Sequence, residues 1–165
     1  MKNIVLIGIM GSGKTTFGHL LSQITGHEMI DMDDYLVDRF QMTIPEMFAI
    51  SEDYFREHET TCCKEVSLLK GKIISTGGGV IKRPENIEYL KKNGVIFYID
   101  RPIEDIVQDV DPSGRPLLKD GPEKLYALDK ERRDLYLKAC DYRIINDGSL
   151  EKVVDNILKI MDKHN

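Results

Sequence analysis

Gly8-Ile9-Met10-Gly11-Ser12-Gly13-Lys14-Thr15, preceded by the apolar run Asn3-Ile4-Val5-Leu6-Ile7, decides the fold. A continuous β-branched run that stops at a glycine suits a strand buried on both faces. After the motif, Phe17, Leu20, Leu21 and Ile24 recur at helical spacing, and Gly26 marks the stop. The stretch between them fits G-x-x-x-x-G-K-[ST] in the strand-to-helix context that a nucleotide-phosphate loop requires. Its glycines let the backbone turn back with N–H groups pointing inward as an anion nest, and the helix N-terminus adds its dipole. Gly11, Ser12 and Gly13 would cradle the phosphates. Lys14 would bridge the β- and γ-phosphates, the Thr15 hydroxyl would ligate Mg²⁺, and Thr16 would add a phosphate contact. The ligand this predicts is ATP or GTP.

Outward from this loop the chain alternates strand and helix. Residues 28–31, 72–75, 95–99 and 142–145 read as further strands. Residues 34–70 are helical in character, interrupted near Thr43-Ile44-Pro45 and near Ser51. Helices are predicted over 84–92, from 102, up to about 139, and at the C-terminal end, where Leu150, Val153, Val154, Ile157 and Met161 share a face and Ser149 is the predicted N-cap. Such alternation implies an α/β fold with a parallel sheet covered on both sides. Residues 109–122 break the rhythm. Asp-Pro, Ser-Gly, Arg-Pro and Asp-Gly are turn chemistry, and the stretch reads as an exposed, mobile segment.

With 165 residues, one domain is expected, and a core can form without disulfides. The net charge of −5 lacks the broad positive field that non-specific binding to nucleic acid or to an anionic membrane needs. No apolar run reaches transmembrane length, and the first one is too short for a signal peptide, so a cytoplasmic protein is expected. Cys62, Cys63 and Cys140 make neither a disulfide framework nor a zinc pattern and read as reduced, packed thiols. Oligomeric state is not legible, and a monomer is the default.

Three further groups carry candidate chemistry. In Ile30-Asp31-Met32-Asp33-Asp34, the carboxylates of Asp31 and Asp33 lie two apart at a strand's carboxyl end, where ligands sit in open α/β sheets. One would orient Mg²⁺ through water and the other would accept or orient a proton; the plainer alternative is that Asp33 or Asp34 caps the next helix. Arg56, with Glu59 three residues on, Arg115 in the loop-like segment, and Arg132 beside Arg133 are natural partners for carboxylate or phosphate, or else ordinary surface cations. Gly77-Gly78-Gly79 would let bare backbone approach a substrate, or would be a flexible turn.

Taken together, G-x-x-G-S-G-K-T-T, D-x-D, F-R-x-x-E, T-G-G-G, R-P-L-L and E-R-x-x-L-Y, in this order over nearly the whole chain, resemble the shikimate kinase family. The resemblance implies the P-loop fold of nucleoside monophosphate kinases, with a five-stranded parallel sheet flanked by helices. It implies a single domain over residues 1–165, with a substrate-binding lobe at about 33–61 and a lid at about 109–122. It further implies ATP-dependent phosphorylation of the 3-hydroxyl of shikimate, on the route to chorismate and the aromatic amino acids. Lys14, Asp33 and Arg115 would be catalytic, with Asp33 holding the shikimate hydroxyls and serving as base. Arg56 and Arg132 would grip the carboxylate, and Gly78 would donate its N–H to the substrate. Thr15, and Asp31 through water, would serve Mg²⁺. Arg115 would close over the ATP phosphates, and Phe48 and Phe55 would wall the pocket or belong to the lobe's core. Two departures stand out. Val107-Gln108-Asp109 lacks the arginine that many members place before the lid to stack on adenine, and Asn146-Asp147-Gly148-Ser149 lacks a basic residue. Rival readings are another small-molecule kinase of the same fold, for gluconate or a nucleoside monophosphate, and a silent nucleotide-binding module.

Overall fold

A computed structural model describes residues 1–109 and 122–165. The predicted lid and Arg115 therefore lie essentially outside the described residues. In chain order the elements are β1 (Asn3–Ile7), α1 (Lys14–Thr25), β2 (Met29–Asp31), α2 (Met32–Phe40), α3 (Ile44–Ile50), α4 (Glu52–Val66), β3 (Ile73–Ser75), a 3₁₀ turn (Val80–Lys82), α5 (Pro84–Lys92), β4 (Gly94–Asp100), α6 (Ile103–Asp109), α7 (Pro122–Ala139), β5 (Tyr142–Ile145) and α8 (Leu150–Asp162).

The strands form one five-stranded sheet in the order β2-β3-β1-β4-β5, with every pairing parallel. From β1 the chain runs outward to β2, returns through β3 and then crosses to β4 and β5. The carboxyl end of β1 thus lies where the direction of winding reverses, the place where such sheets open a ligand crevice.

Both central strands, β1 and β4, are buried at every residue, as their unbroken apolar runs predict. Alternate residues feed two cores. Val5, Ile7, Ile74, Ile96 and Tyr98 pack with Leu36, Met47, Cys62, Cys63, Leu90 and Tyr136 on one face. On the other, Ile4, Leu6, Phe97 and Ile99 pack with Phe17 and Leu21 of α1 and with Val153, Val154 and Ile157 of α8. Burying each large apolar side chain contributes roughly 1.5–3 kcal/mol.

Local signals set the breaks. Gly26 ends α1 in the left-handed conformation. Thr43 and Glu46 form a reciprocal capping box at α3, with both hydrogen bonds at 3.2 Å and Pro45 in the first turn. Ser51 caps α4 through the Tyr54 N–H. Ser149 occupies the N-cap position of α8, but its side chain makes no capping bond. Cys62 and Cys63 are fully buried, and Cys140 is half-buried.

Candidate active site

The phosphate loop leaves β1 at Gly8, whose φ is +154°. A Cβ there would stand 2.7 Å from Ser12 Oγ and 2.8 Å from the Ile99 carbonyl, so no larger residue fits this tight entry. Lys14 opens α1, is 9% exposed, and its Nζ donates to the Gly8 carbonyl. Burial lowers its pKa to about 8, against the pull of the Asp33 carboxylate. A crevice of about 580 Å³ opens in front of the loop, lined by Gly11, Gly13, Lys14, Thr15, Thr16, Asp31, Asp33, Gly77 and Gly78, with Arg101 and Asp109 among its other walls.

The carboxylates reach this crevice by a route that strand alternation does not describe. β2 ends at Asp31, and Asp33 already stands in the first turn of α2. The capping residue is Asp31, not Asp33 or Asp34. Its Oδ1 accepts from the Asp33 N–H at 2.9 Å and the Asp34 N–H at 3.2 Å. Asp33 is thereby released to face the crevice. Removal from water and the neighbouring Asp31 charge raise its pKa, while Lys14 opposes the shift.

A second cavity of about 230 Å³ adjoins the first. Met10, Asp33, Gly77 and Gly78 line both; Ile44, Phe48, Phe55, Arg56, Glu59, Gly79 and Arg132 complete the second. The triple glycine is a cradle, not a slack turn. Cβ atoms built on it would meet Asp33 Oδ1 at 3.2 Å from Gly77, Arg132 Nη1 at 3.3 Å from Gly78, and the Arg56 nitrogens at 2.5 Å from Gly79. Tyr136 donates its hydroxyl to the Gly78 carbonyl and stacks on Tyr98, with ring centroids 5.1 Å apart. Burial pushes its pKa up to about 12, which keeps that hydroxyl a donor.

Arg56 projects from α4 and is not a solvated surface pair. It is 8% exposed, and its Nη1 donates to Glu59 Oε1 at 3.0 Å. Burial raises the Glu59 pKa while Arg56 counters it. Phe48 and Phe55 stack with centroids 4.4 Å apart, and the Arg56 guanidinium lies 5.0 Å from the Phe55 centroid. The two adjacent arginines of α7 separate cleanly. Arg132 is buried in the cavity wall and its Nε finds no hydrogen-bond partner among the described residues, whereas Arg133 turns away to Asp100 at 3.0 and 3.1 Å. Two cationic side chains thus converge on a small cavity.

The profile of the shikimate kinase family matches residues 10–162. The chain belongs to the shikimate kinase family. A shikimate kinase of Clostridium botulinum (strain Alaska E43 / Type E3) is 47% identical over 162 residues, covering 98% of each chain. Among solved structures, the shikimate kinase from Acinetobacter baumannii in complex with shikimate superposes with a TM-score of 0.88 at 34% identity, covering 100% of this chain and 95% of that one. The shikimate kinase from Aquifex aeolicus gives 0.83 at 35% identity, covering 98% and 97%.

Arg101, Asn146 and Tyr136 belong to the surroundings of this shikimate kinase site without having been singled out as site residues from sequence. Arg101 lies just beyond β4 and Asn146 just beyond β5. Their one sequence signal is this position past a strand's carboxyl end.

Proposed function

We propose that the protein transfers the γ-phosphoryl group of ATP to the 3-hydroxyl of shikimate, with the 580 Å³ crevice holding the nucleotide and the adjoining 230 Å³ cavity holding the acceptor. One observation carries this reading: Asp33 lines both spaces, so one carboxylate stands where donor and acceptor must meet.

Arg56 and Arg132 bind the shikimate carboxylate, Arg56 being held by Glu59. Gly77 and Gly78 let the ring approach the backbone. Asp33 orients the hydroxyl and takes its proton as the oxygen attacks; its raised pKa suits it to that exchange. Lys14 neutralises charge on the β- and γ-phosphates, which is most of what phosphoryl transfer asks of a protein. Arg115 lies outside the described residues, and its assignment to the ATP phosphates rests on the R-P-L-L motif, as the lid does. The lobe at about 33–61 spans most of α2, all of α3 and the first part of α4, whose residues supply Asp33, Phe48, Phe55, Arg56 and Glu59.

The donor set fits Mg²⁺. Among the described residues no group of three or more His, Cys, Asp or Glu is arranged to hold a metal alone. Thr15 and Asp31 nevertheless line the phosphate crevice, and beside them burial and then the Asp31 charge make the ionised form of Asp33 costly. An ion that keeps most of its waters and takes phosphate oxygens needs no more. When bound it would neutralise charge on the phosphates.

The test is a coupled ADP-release assay with ATP, Mg²⁺ and shikimate against gluconate and no-acceptor controls. Shikimate-dependent release, with shikimate 3-phosphate identified by mass, is expected. Preference for gluconate or a nucleoside monophosphate, or nucleotide binding without transfer, would overturn the proposal.

A further inference from the structure

Carbonyls of the phosphate loop are engaged from outside the nest. Lys14 takes the Gly8 carbonyl, and the Ser12 N–H takes that of Ile9 at 3.1 Å. Those of Gly11 and Ser12 are taken by side chains remote in sequence. Arg101 Nη1 donates to the Gly11 carbonyl at 3.0 Å, and Asn146 Nδ2 donates to the Ser12 carbonyl at 2.8 Å. Both donors are themselves fixed. Arg101 pairs through its other terminal nitrogen with Asp109, at the end of α6. Asn146 is 7% exposed, its Oδ1 accepts from the Gly148 N–H at 3.2 Å, and its own N–H donates to the Asp100 carbonyl at 2.8 Å. Those two side-chain bonds, one donated and one accepted, settle which end of the amide is which. The two braces start from adjoining strand ends, β4 and β5, and meet at Asp100.

Across a trans peptide the carbonyl and the following N–H point in opposite directions. Pulling the Ser12 carbonyl outward to Asn146 therefore turns the Gly13 N–H the other way, towards the crevice. Gly13 has φ +110°, and its missing Cβ would stand 3.1 Å from Asn146 Nδ2, so loop and brace are fitted together. Without the brace the loop would have to find this arrangement at the moment phosphate binds, and affinity would fall accordingly.

We infer that Asn146 and Arg101 are nucleotide-positioning residues: each holds an outward carbonyl of the phosphate loop, and Asn146 thereby aims the Gly13 N–H at the phosphates. Neither need touch the substrate. The inference rests on the crevice being the nucleotide site.

The experiment is calorimetric titration of the full chain with MgADP, MgATP and, separately, shikimate. Asn146→Asp changes one donor to an acceptor at nearly constant shape and places a carboxylate against the Ser12 carbonyl. It should weaken both nucleotides about tenfold or more while leaving shikimate affinity within about twofold. Arg101→Ala should weaken nucleotides by about fivefold, and Arg101→Lys, which keeps one donor within reach of Gly11, should recover part of that. Nucleotide affinities within twofold of the parent in both Asn146→Asp and Arg101→Ala would overturn the inference. So would a parallel loss of nucleotide and shikimate binding with a falling melting temperature, which would mark a merely structural role. A parent chain that binds no nucleotide would bring down the underlying reading of the crevice instead.

Discussion

The guanidinium of Arg56 occupies the space that a side chain on Gly79 would need: both terminal nitrogens lie 2.5 Å from where its Cβ would be. Gly79 has φ −99°, a conformation open to any residue, so the glycine is required for room and not for backbone freedom. Gly79→Ala should therefore fold, because what must yield is the far end of a flexible side chain. The displaced guanidinium would no longer meet a carboxylate squarely. The shikimate KM should rise about 30-fold or more, with ATP binding and melting temperature little changed. Steady-state kinetics varying each substrate in turn would check this, and an unchanged shikimate KM would remove Arg56 from the acceptor site.

Asp33 predicts a particular acid limb. As a proton acceptor it works only when ionised, and its pKa stands above the usual carboxylate value of 3.8. Activity should fall as pH drops through that raised value, at a pH where ordinary surface carboxylates are still charged. Asp33→Asn should lose about 10²-fold or more in kcat while binding ATP with near-parent affinity. Near-normal turnover in that variant would rule out proton transfer to Asp33.

Lys14 sets a limit on the alkaline side. In the nucleotide-free protein its pKa is lowered to about 8 by burial, so as pH rises through that value the loop loses its positive charge. MgATP affinity should decline above about pH 8. Binding just above that pH should take up a proton, because the phosphates draw the ammonium form back. Titrations in buffers of different ionisation enthalpy would show the uptake, and identical apparent enthalpies would argue against it.

Asp100 anchors Arg133 of α7 at 3.0 and 3.1 Å and Arg143 of β5 at 2.7 Å, and its side chain is 5% exposed. Burial alone would raise its pKa, but the hydrogen bonds from Arg133 and Arg143 outweigh that and hold it below the usual value. A carboxylate depressed on folding adds stability that is complete above its unfolded pKa and is lost as pH falls through the folded one. Asp100→Asn should cost about 2 kcal/mol at pH 7, and the gap to the parent should close in strong acid. Urea unfolding across pH would measure it.

Much of this was legible in the sequence because its causes are local. Asn3–Ile7 and the glycines after it announce strand, loop and helix through periodicity and turn chemistry, and Arg56 with Glu59 is readable as a pair because i and i+3 share a helix face. What escaped depends on contacts between distant parts of the chain. Asn146 reaches Ser12 across 134 positions, and Arg101 reaches Gly11 across 90. No spacing rule covers either. The Asp31-Met32-Asp33 pair reaches the crevice by another route than strand alternation: the strand stops at Asp31, whose Oδ1 caps the next helix, and Asp33 arrives from that helix's first turn, so both still line the crevice. Tyr136 was visible only as part of a motif, since its partner is a backbone carbonyl and carries no side-chain signal.

The buried cysteines of α4 make the chain its own unfolding gauge. Cys62 and Cys63 are fully enclosed, and burial pushes the thiol pKa of Cys62 up to about 12 and that of Cys63 well above the ordinary value. Neither offers a thiolate to an alkylating or oxidising reagent while the helix is packed. Cys140 is half-buried and will react slowly. Quantitative labelling should therefore count one sulfhydryl in the folded molecule and three in denaturant. The rate at which the second and third appear reports how often α4, the helix that carries Arg56 and Glu59, parts from the core it shares with α2, α3 and α5.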